Sequence, residues 1–224
     1  MFPWIALALI GLALWTHVWI LAWPGAVLIA TAIVYLRGAP RALGKRDDGT
    51  MAAWAWAAWA PLFAYMRIAH ELARYATSES VGDEVAPGIW VGRRARLHEL
   101  PPEIALVVDL CAELPEAPGV VQRQPYLLVR ALDETAPQPR ELAAAVDAIL
   151  AARGPVFIHC AFGHGRSAAV AAAVLVRRGD ATLADVEAKL RARRPKIGLN
   201  RLQRERLAEA VALGTDASAA ARAG

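Results

Sequence analysis

The chain has 224 residues, 57% of them hydrophobic and 21% charged, with a formal net charge of +4 and two cysteines. That length allows one ordinary domain plus an appendage, and two cysteines cannot build the disulfide framework of a small secreted domain, so Cys111 and Cys160 read as thiols of a reducing compartment. The modest positive charge is spread along the chain without the aromatic-basic pattern of a nucleic-acid reader, which excludes a nucleic-acid partner.

The apolar excess lies at the N-terminus. From Phe2 to Leu36 there is no Asp, Glu, Lys or Arg. As one helix this run would rise about 52 Å, against a hydrocarbon core of about 30 Å. The break at Trp23-Pro24-Gly25 predicts two short spans, a transmembrane hairpin over residues 1–37, with Trp4 near one interface and Trp15, Trp19 and Trp23 near the other. A signal peptide is the rival, but no basic region precedes the run and no small-residue cleavage site ends it.

A basic linker and a Trp-rich segment follow over residues 38–80. Arg37, Arg41, Lys45 and Arg46 come directly after the apolar run, which by the positive-inside rule puts this segment in the cytoplasm. Trp54, Trp56, Trp59, Phe63 and Tyr65 then crowd a stretch interrupted by Pro61 and continued by Arg67, His70, Glu71 and Arg74. The stretch is short for a span and predicts a helix lying in the headgroup region.

Residues 81–214 have the composition of an α/β domain. Short runs at 88–92, 104–110, 126–132 and 156–160 are rich in β-branched and aromatic residues and bounded by Gly and Pro, which predicts buried strands. Between them, "PRELAAAVDAILAARG" places Leu142, Val146, Ile149 and Leu150 on one helical face and ends at Gly154, a C-cap by sequence. Further helices are predicted from Arg166 to about Arg178, from Thr182 as N-cap to Arg193, and from about Asn200 to Leu213. Residues 215–224 read as a disordered tail.

The stretch "VFIHCAFGHGRSAAV" carries the chemistry. A thiol, Cys160, stands where a buried strand gives way to a helix through small residues. Backbone N–H groups of Ala161, Phe162, Gly163, His164 and Gly165 would converge on an anion, and the helix adds the positive end of its dipole. Arg166 at the helix start can grip two phosphate oxygens, and the same field lowers the pKa of a thiol so that a thiolate exists at neutral pH. His164 either touches the phosphate or faces solvent, the loop tip favouring solvent. Arg93, Arg94 and Arg96 form a solvated run that could also meet an anionic surface. No metal-ligand cluster and no cofactor motif stands out.

"HCAFGHGRS" resembles the H-C-x5-R-S/T signature of the cysteine-dependent dual-specificity and protein tyrosine phosphatases, and "PGIWVG", "VVDLCAE", "RALDE" and "RRPKIGLN" resemble that family's landmarks in order. The likeness covers about residues 86–208 and implies a dual-specificity-phosphatase-like α/β sheet flanked by helices. It also implies roles. Cys160 is the nucleophile that forms a cysteinyl-phosphate, Arg166 binds the phosphate, and Asp133 is the general acid, with Glu134 as fallback. Ser167 steadies the thiolate as a leaving group and His159 braces the loop. Asn200 and Gln203 match the segment after the Arg-Pro turn. Cys111 matches a cysteine that in some lipid phosphatases forms a reversible disulfide with the nucleophile, although a small buried packing residue reads slightly better there. The five loop residues lack the Lys or Arg of several lipid-directed members.

The expected protein is therefore a phosphatase anchored in the inner or plasma membrane, bound to membrane lipid, with a cytoplasmic catalytic domain. Its substrate is a phosphoprotein or a phospholipid headgroup, and no cofactor is needed. The alternatives are a pseudophosphatase that only binds phosphorylated ligands and a rhodanese-like sulfurtransferase.

Overall fold

The computed structural model describes the backbone of residues 3–223 and the side chains of residues 4–214. The chain divides into two compact units, one made of Met1–Arg46, Thr50–Thr77 and Ala112–Pro115, the other of Asp47–Gly49, Ser78–Cys111 and Glu116–Gly224.

The first unit is helical. Helix α1 (Pro3–Thr16) and helix α2 (Ala22–Leu36) are joined by a 3-10 turn at Trp19–Leu21. The break falls at His17, which takes a left-handed φ of 60°, and not at Trp23-Pro24-Gly25. Pro24 sits in the first turn of α2, where its missing N–H has no helical partner to lose. Gly25 serves packing instead: a Cβ there would lie 3.0 Å from the Ala6 carbonyl oxygen, so α1 and α2 approach closely. Among the described residues, one helical stretch, Trp19–Leu36, is long and apolar enough to cross a membrane, while Trp4–Thr16 is apolar but shorter. At 1.5 Å per residue the 14 residues of α1 rise only about 21 Å, short of a full span. Helix α3 (Ala53–Ala58) and helix α4 (Ala60–Ala76) follow, breaking at Trp59, whose indole N–H donates to the Ala42 carbonyl at 3.0 Å. Pro61 is again in a first turn. Helix α4 buries Phe63 and His70 and exposes Tyr65, Ile68, Leu72 and Tyr75, a helically spaced apolar stripe.

The second unit is a five-stranded sheet in the order β1-β2-β5-β3-β4, with β1 Gly82–Ala86, β2 Ile89–Arg93, β3 Leu106–Cys111, β4 Tyr126–Ala131 and β5 Val156–Cys160. Four strands are parallel, and β1 pairs antiparallel with β2 at the edge. Every residue of β5 is buried, as expected of a central strand covered on both faces. Alternation sorts the sheet. Val108, Leu110, Val156, Ile158 and Cys160 share one core with the helices that cover that face, α6 (Pro139–Leu150), α7 (Arg166–Arg178), α8 (Val186–Arg193) and α9 (Arg201–Ala223), while Val107 and Phe157 belong to a second core with Ile104, Ala117 and Val120. The short helix α5 (Val120–Arg123) lies in the β3–β4 connection. Residues Arg166 through Leu175 of α7 are all buried, and its alanines let the helix lie close on the sheet.

Strand β1 has no counterpart among the strands predicted from sequence, because an edge strand carrying Asp83 and Glu84 shows no apolar run. Helix α8 begins at Val186 rather than after Thr182: Thr182 and Asp185 exchange side-chain bonds with each other's amides in a turn that precedes it. Helix α6 closes at Leu150 with Ala151 as its cap, three residues before Gly154. Helix α9 continues to Ala223 where a tail is expected, consistent with its alanine content. The side chains of residues 215–224 lie outside the described residues.

Candidate active site

The loop from Cys160 to Arg166 joins β5 to α7 at the carboxyl end of the parallel strands, where α/β sheets hold ligands. Its shape depends on Gly163. That residue has a φ of +79°, and a Cβ on it would stand 2.4 Å from the carbonyl carbon of Gly92 in β2. Only glycine fits so close to the neighbouring strand. The turn points the Gly163 N–H at the Cys160 Sγ, 3.3 Å away, and the Ser167 hydroxyl lies 3.5 Å from the same sulfur. Burial alone would push this thiol up, but the Arg166 charge and the hydrogen bonds from Ser167 and Gly163 outweigh it and hold Cys160 below the usual thiol range.

Arg166 is buried and points into the same cleft. Its Nη1 donates to the Ala131 carbonyl at 2.8 Å and its Nη2 to Asp133 Oδ1 at 3.1 Å. Asp133 is about half exposed, its side chain retaining 46% accessibility, so its carboxylate faces the cleft rather than the core. Cys160, Arg166 and Asp133 are thus brought together. Glu134 lines the cleft as well, but with a left-handed φ of 58° its backbone is pinned by Asn200, whose Nδ2 donates to the Glu134 carbonyl at 2.7 Å. Gln203 donates to the Thr135 carbonyl at 3.0 Å. Asn200 and Gln203 also bond each other's amides as a capping pair at the start of α9. One pair therefore caps a helix and fixes the loop bearing Asp133. The cleft has a volume of about 280 Å³, room for a phosphate and part of the group that bears it.

His159 is buried beneath the loop. Its Nε2 lies 2.8 Å from Glu116 Oε2 and its Nδ1 3.4 Å from the Cys160 carbonyl oxygen. Asp109, 3.9 Å from the imidazole, accepts from the Tyr126 hydroxyl and the Cys111 amide, both at 2.7 Å. Burial, together with Asp109 and Glu116, pushes the Tyr126 phenol far above its ordinary value, so it remains a donor. Among the described residues Asp109, Glu116 and His159 are the one group whose ligand atoms gather within 4.8 Å. Hydrogen bonds within this network account for the gathering.

His164 does not simply face solvent. Its ring lines the cleft, and its Nε2 lies 3.0 Å from Glu79, whose carboxylate also receives the Lys196 ammonium at 3.1 Å. Burial resists ionisation of Glu79, but Lys196, His164 and Arg194 prevail and hold it below the usual carboxylate range. His164 is held below its ordinary value by burial, against the pull of Glu79.

Arg194 is the largest contributor that sequence reasoning missed. Fully buried, it donates to the Gly163 and Phe162 carbonyls at 3.0 and 3.1 Å and pairs with Asp83 at 2.8 Å, with Ser80 3.3 Å away. The Gly163 N–H turns toward the sulfur while the Phe162 and Gly163 carbonyls point the other way, and this guanidinium satisfies both of them. Its only signal was membership of "RRPKIGLN". Asp109 likewise had only its place in "VVDLCAE", and Glu79 and Glu116 carried none. Arg93 pairs with Glu99 at 3.1 Å and is mostly buried. Cys111 and Cys160 are both buried thiols, not joined in a disulfide. Continuing the β3–β5 register one step sets Leu110 beside Cys160, so alternation turns Cys111 to the opposite face.

Residues 102–211 match the family model of the dual specificity phosphatase catalytic domain. No curated protein matches the chain. Among solved structures, the active form of Tk-PTP is similar with a TM-score of 0.54 at 25% identity, over 58% of this chain and 96% of that one. PTPMT1 in complex with PI(5)P gives 0.54 at 18% identity, covering 62% and 99%. The human tyrosine phosphatase-like serine/threonine/tyrosine-interacting protein gives 0.51 at 23%, covering 60% and 98%. The last two share the fold at identities that speak for the fold alone.

Proposed function

We propose, from the match of residues 102–211 to the dual specificity phosphatase catalytic domain, that the chain is a phosphatase of that family and hydrolyses phosphomonoesters through a cysteinyl-phosphate while anchored to a membrane by its N-terminal helices. The observation that carries the reading is the convergence on one sulfur of a backbone N–H, a hydroxyl and a buried guanidinium, with a carboxylate 3.1 Å from that guanidinium.

In the first step the Cys160 thiolate attacks phosphorus in line, the bond to the leaving oxygen breaks, and Asp133 gives that oxygen its proton. Arg166 and the loop N–H groups hold the equatorial oxygens. An arriving phosphate dianion takes Arg166 from Asp133, and the freed carboxyl group faces the leaving oxygen in its protonated form, the proton drawn from solvent. In the second step water attacks the cysteinyl-phosphate, Asp133 takes its proton, and the thiolate departs stabilised by Ser167. His159, braced by Glu116, positions the Cys160 peptide and transfers no proton.

The substrate is the phosphomonoester of a phosphoprotein or of a phospholipid headgroup. Membrane attachment draws support from the length and composition of Trp19–Leu36 and the exposed apolar stripe of α4. The basic cluster Arg37, Arg41, Lys45 and Arg46 supports a cytoplasmic catalytic unit at the inner or plasma membrane. The test is turnover of p-nitrophenyl phosphate by the full chain in detergent. Cys160→Ser should nearly abolish it, and Asp133→Asn should lower it by about 10²–10⁴-fold for poor leaving groups. Full turnover in Cys160→Ser would end the proposal.

A further inference from the structure

Glu79 comes from the segment leading into β1, yet it bonds to a residue of the phosphate loop. Both its oxygens lie within reach of His164 Nε2, at 3.0 and 3.2 Å, and Lys196 Nζ is 3.1 Å from one of them. His164 lines the cleft that holds Cys160 and Arg166, whereas Lys196 is mostly exposed, with 60% of its side chain accessible. An anionic group attached next to the phosphate gripped by Arg166 would meet the His164 ring at the cleft wall, with Lys196 beyond it, bonded to the same Glu79 carboxylate. They already have an anion. The carboxylate is ionised at neutral pH, held so by Lys196, His164 and Arg194 against the effect of burial.

We propose that Glu79 is a specificity residue whose carboxylate occupies the His164 N–H and the Lys196 ammonium, so that the cleft prefers phosphomonoesters with no second anionic group beside the scissile phosphate. The inference rests on the phosphatase reading and narrows its substrate class. A second phosphate must displace Glu79 or sit against its charge, and either raises the cost of binding. A singly phosphorylated group bearing hydroxyls or apolar surface beyond the phosphate escapes that cost.

The probes are inorganic phosphate, which fills the loop alone, and pyrophosphate, which adds one adjacent anionic group. Their affinities are measured by calorimetry on the full chain carrying Cys160→Ser, so that nothing is turned over. Glu79→Gln in that background should tighten pyrophosphate by about 10-fold, or about 1.4 kcal/mol, and change phosphate affinity by less than about two-fold. Adding Lys196→Ala to Glu79→Gln should remove most of the gain. With Glu79 present, Lys196→Ala should weaken pyrophosphate by less than about two-fold, since the ammonium is already taken. That last variant changes a mostly exposed residue and keeps the test alive if Glu79→Gln melts early. Equal tightening of both anions, no tightening, or a large loss on Lys196→Ala with Glu79 in place would each overturn the proposal. Failure of the phosphatase reading shows separately, as absent turnover in the unsubstituted chain.

Discussion

Replacing Gly163 by alanine asks whether the backbone shape of the loop, beyond its residue types, makes the thiolate. The new Cβ would lie 2.4 Å from the Gly92 carbonyl carbon, 2.5 Å from its oxygen and 2.8 Å from the Arg93 nitrogen, all main-chain atoms of β2 that cannot swing aside. The left-handed conformation costs an alanine about 1 kcal/mol, and overpacking against backbone adds about 1–3 kcal/mol. Together these lower the melting temperature by about 6–12 °C at about 3 °C per kcal/mol for a domain of this size. The strain is relieved by moving the loop away from β2, which draws the Gly163 N–H off the Cys160 sulfur, 3.3 Å away. The pH midpoint of iodoacetamide alkylation at Cys160 should then rise toward that of a free thiol. Gly179→Ala is the control, because Gly179 has the same φ of +79° but nothing within 4 Å of an added Cβ. It should lose only the conformational part, about 1 kcal/mol, and leave alkylation unchanged. Equal melting losses in the two variants, with identical alkylation profiles, would refute the reasoning.

In the unsubstituted protein, alkylation should set in below the usual thiol range, because the folded pKa of Cys160 is lowered. Removing the hydroxyl with Ser167→Ala should move that midpoint upward, and an unmoved midpoint would strip Ser167 of its role. Cys111→Ser should leave recovery from peroxide by dithiothreitol unchanged, because Cys111 faces away from Cys160. A Cys111–Cys160 peptide in the oxidised protein would show otherwise. Reporter fusions at residues 45 and 85 should report the same, cytoplasmic side, and opposite sides would mean that residues 51–69 span the membrane.

The candidate site was legible where its parts are contiguous. The run 156–167 contains the strand, the turn and the helix start, so composition alone places Cys160, the glycines and Arg166 in one anion cradle. Asp133 needed the family resemblance, since an acidic residue after a strand has no local mark of proton transfer. What could not be read was the support from behind. Arg194 reaches the loop, and Glu116 the His159 beneath it, through folding of distant segments, and their charges look like ordinary surface charges in the sequence; Asp109 stands in a predicted strand, but nothing local marks what it would meet. The same holds for β1, whose Asp83 disguises a strand because it is there to meet Arg194. Local signals also misplaced the first break: Pro24 looks like a chain reversal by composition, but a proline in a first helical turn interrupts nothing, and the turn is made by His17.

Arg194 gives the boundary of the catalytic unit a functional meaning. Its guanidinium bonds Ser80 and Asp83 with one nitrogen and the Phe162 and Gly163 carbonyls with the other two. Two residues on the N-terminal side of the first strand, Glu79 and Ser80, therefore belong to the candidate site although they precede every element of the sheet. A chain trimmed at residue 81 would keep all five strands and the full signature loop, yet it would lose one partner of Arg194 and the whole carboxylate facing His164. If Glu79 sets selectivity as proposed, such a fragment would report a selectivity that the intact protein does not have. A fragment meant to stand in for the enzyme should begin before Glu79.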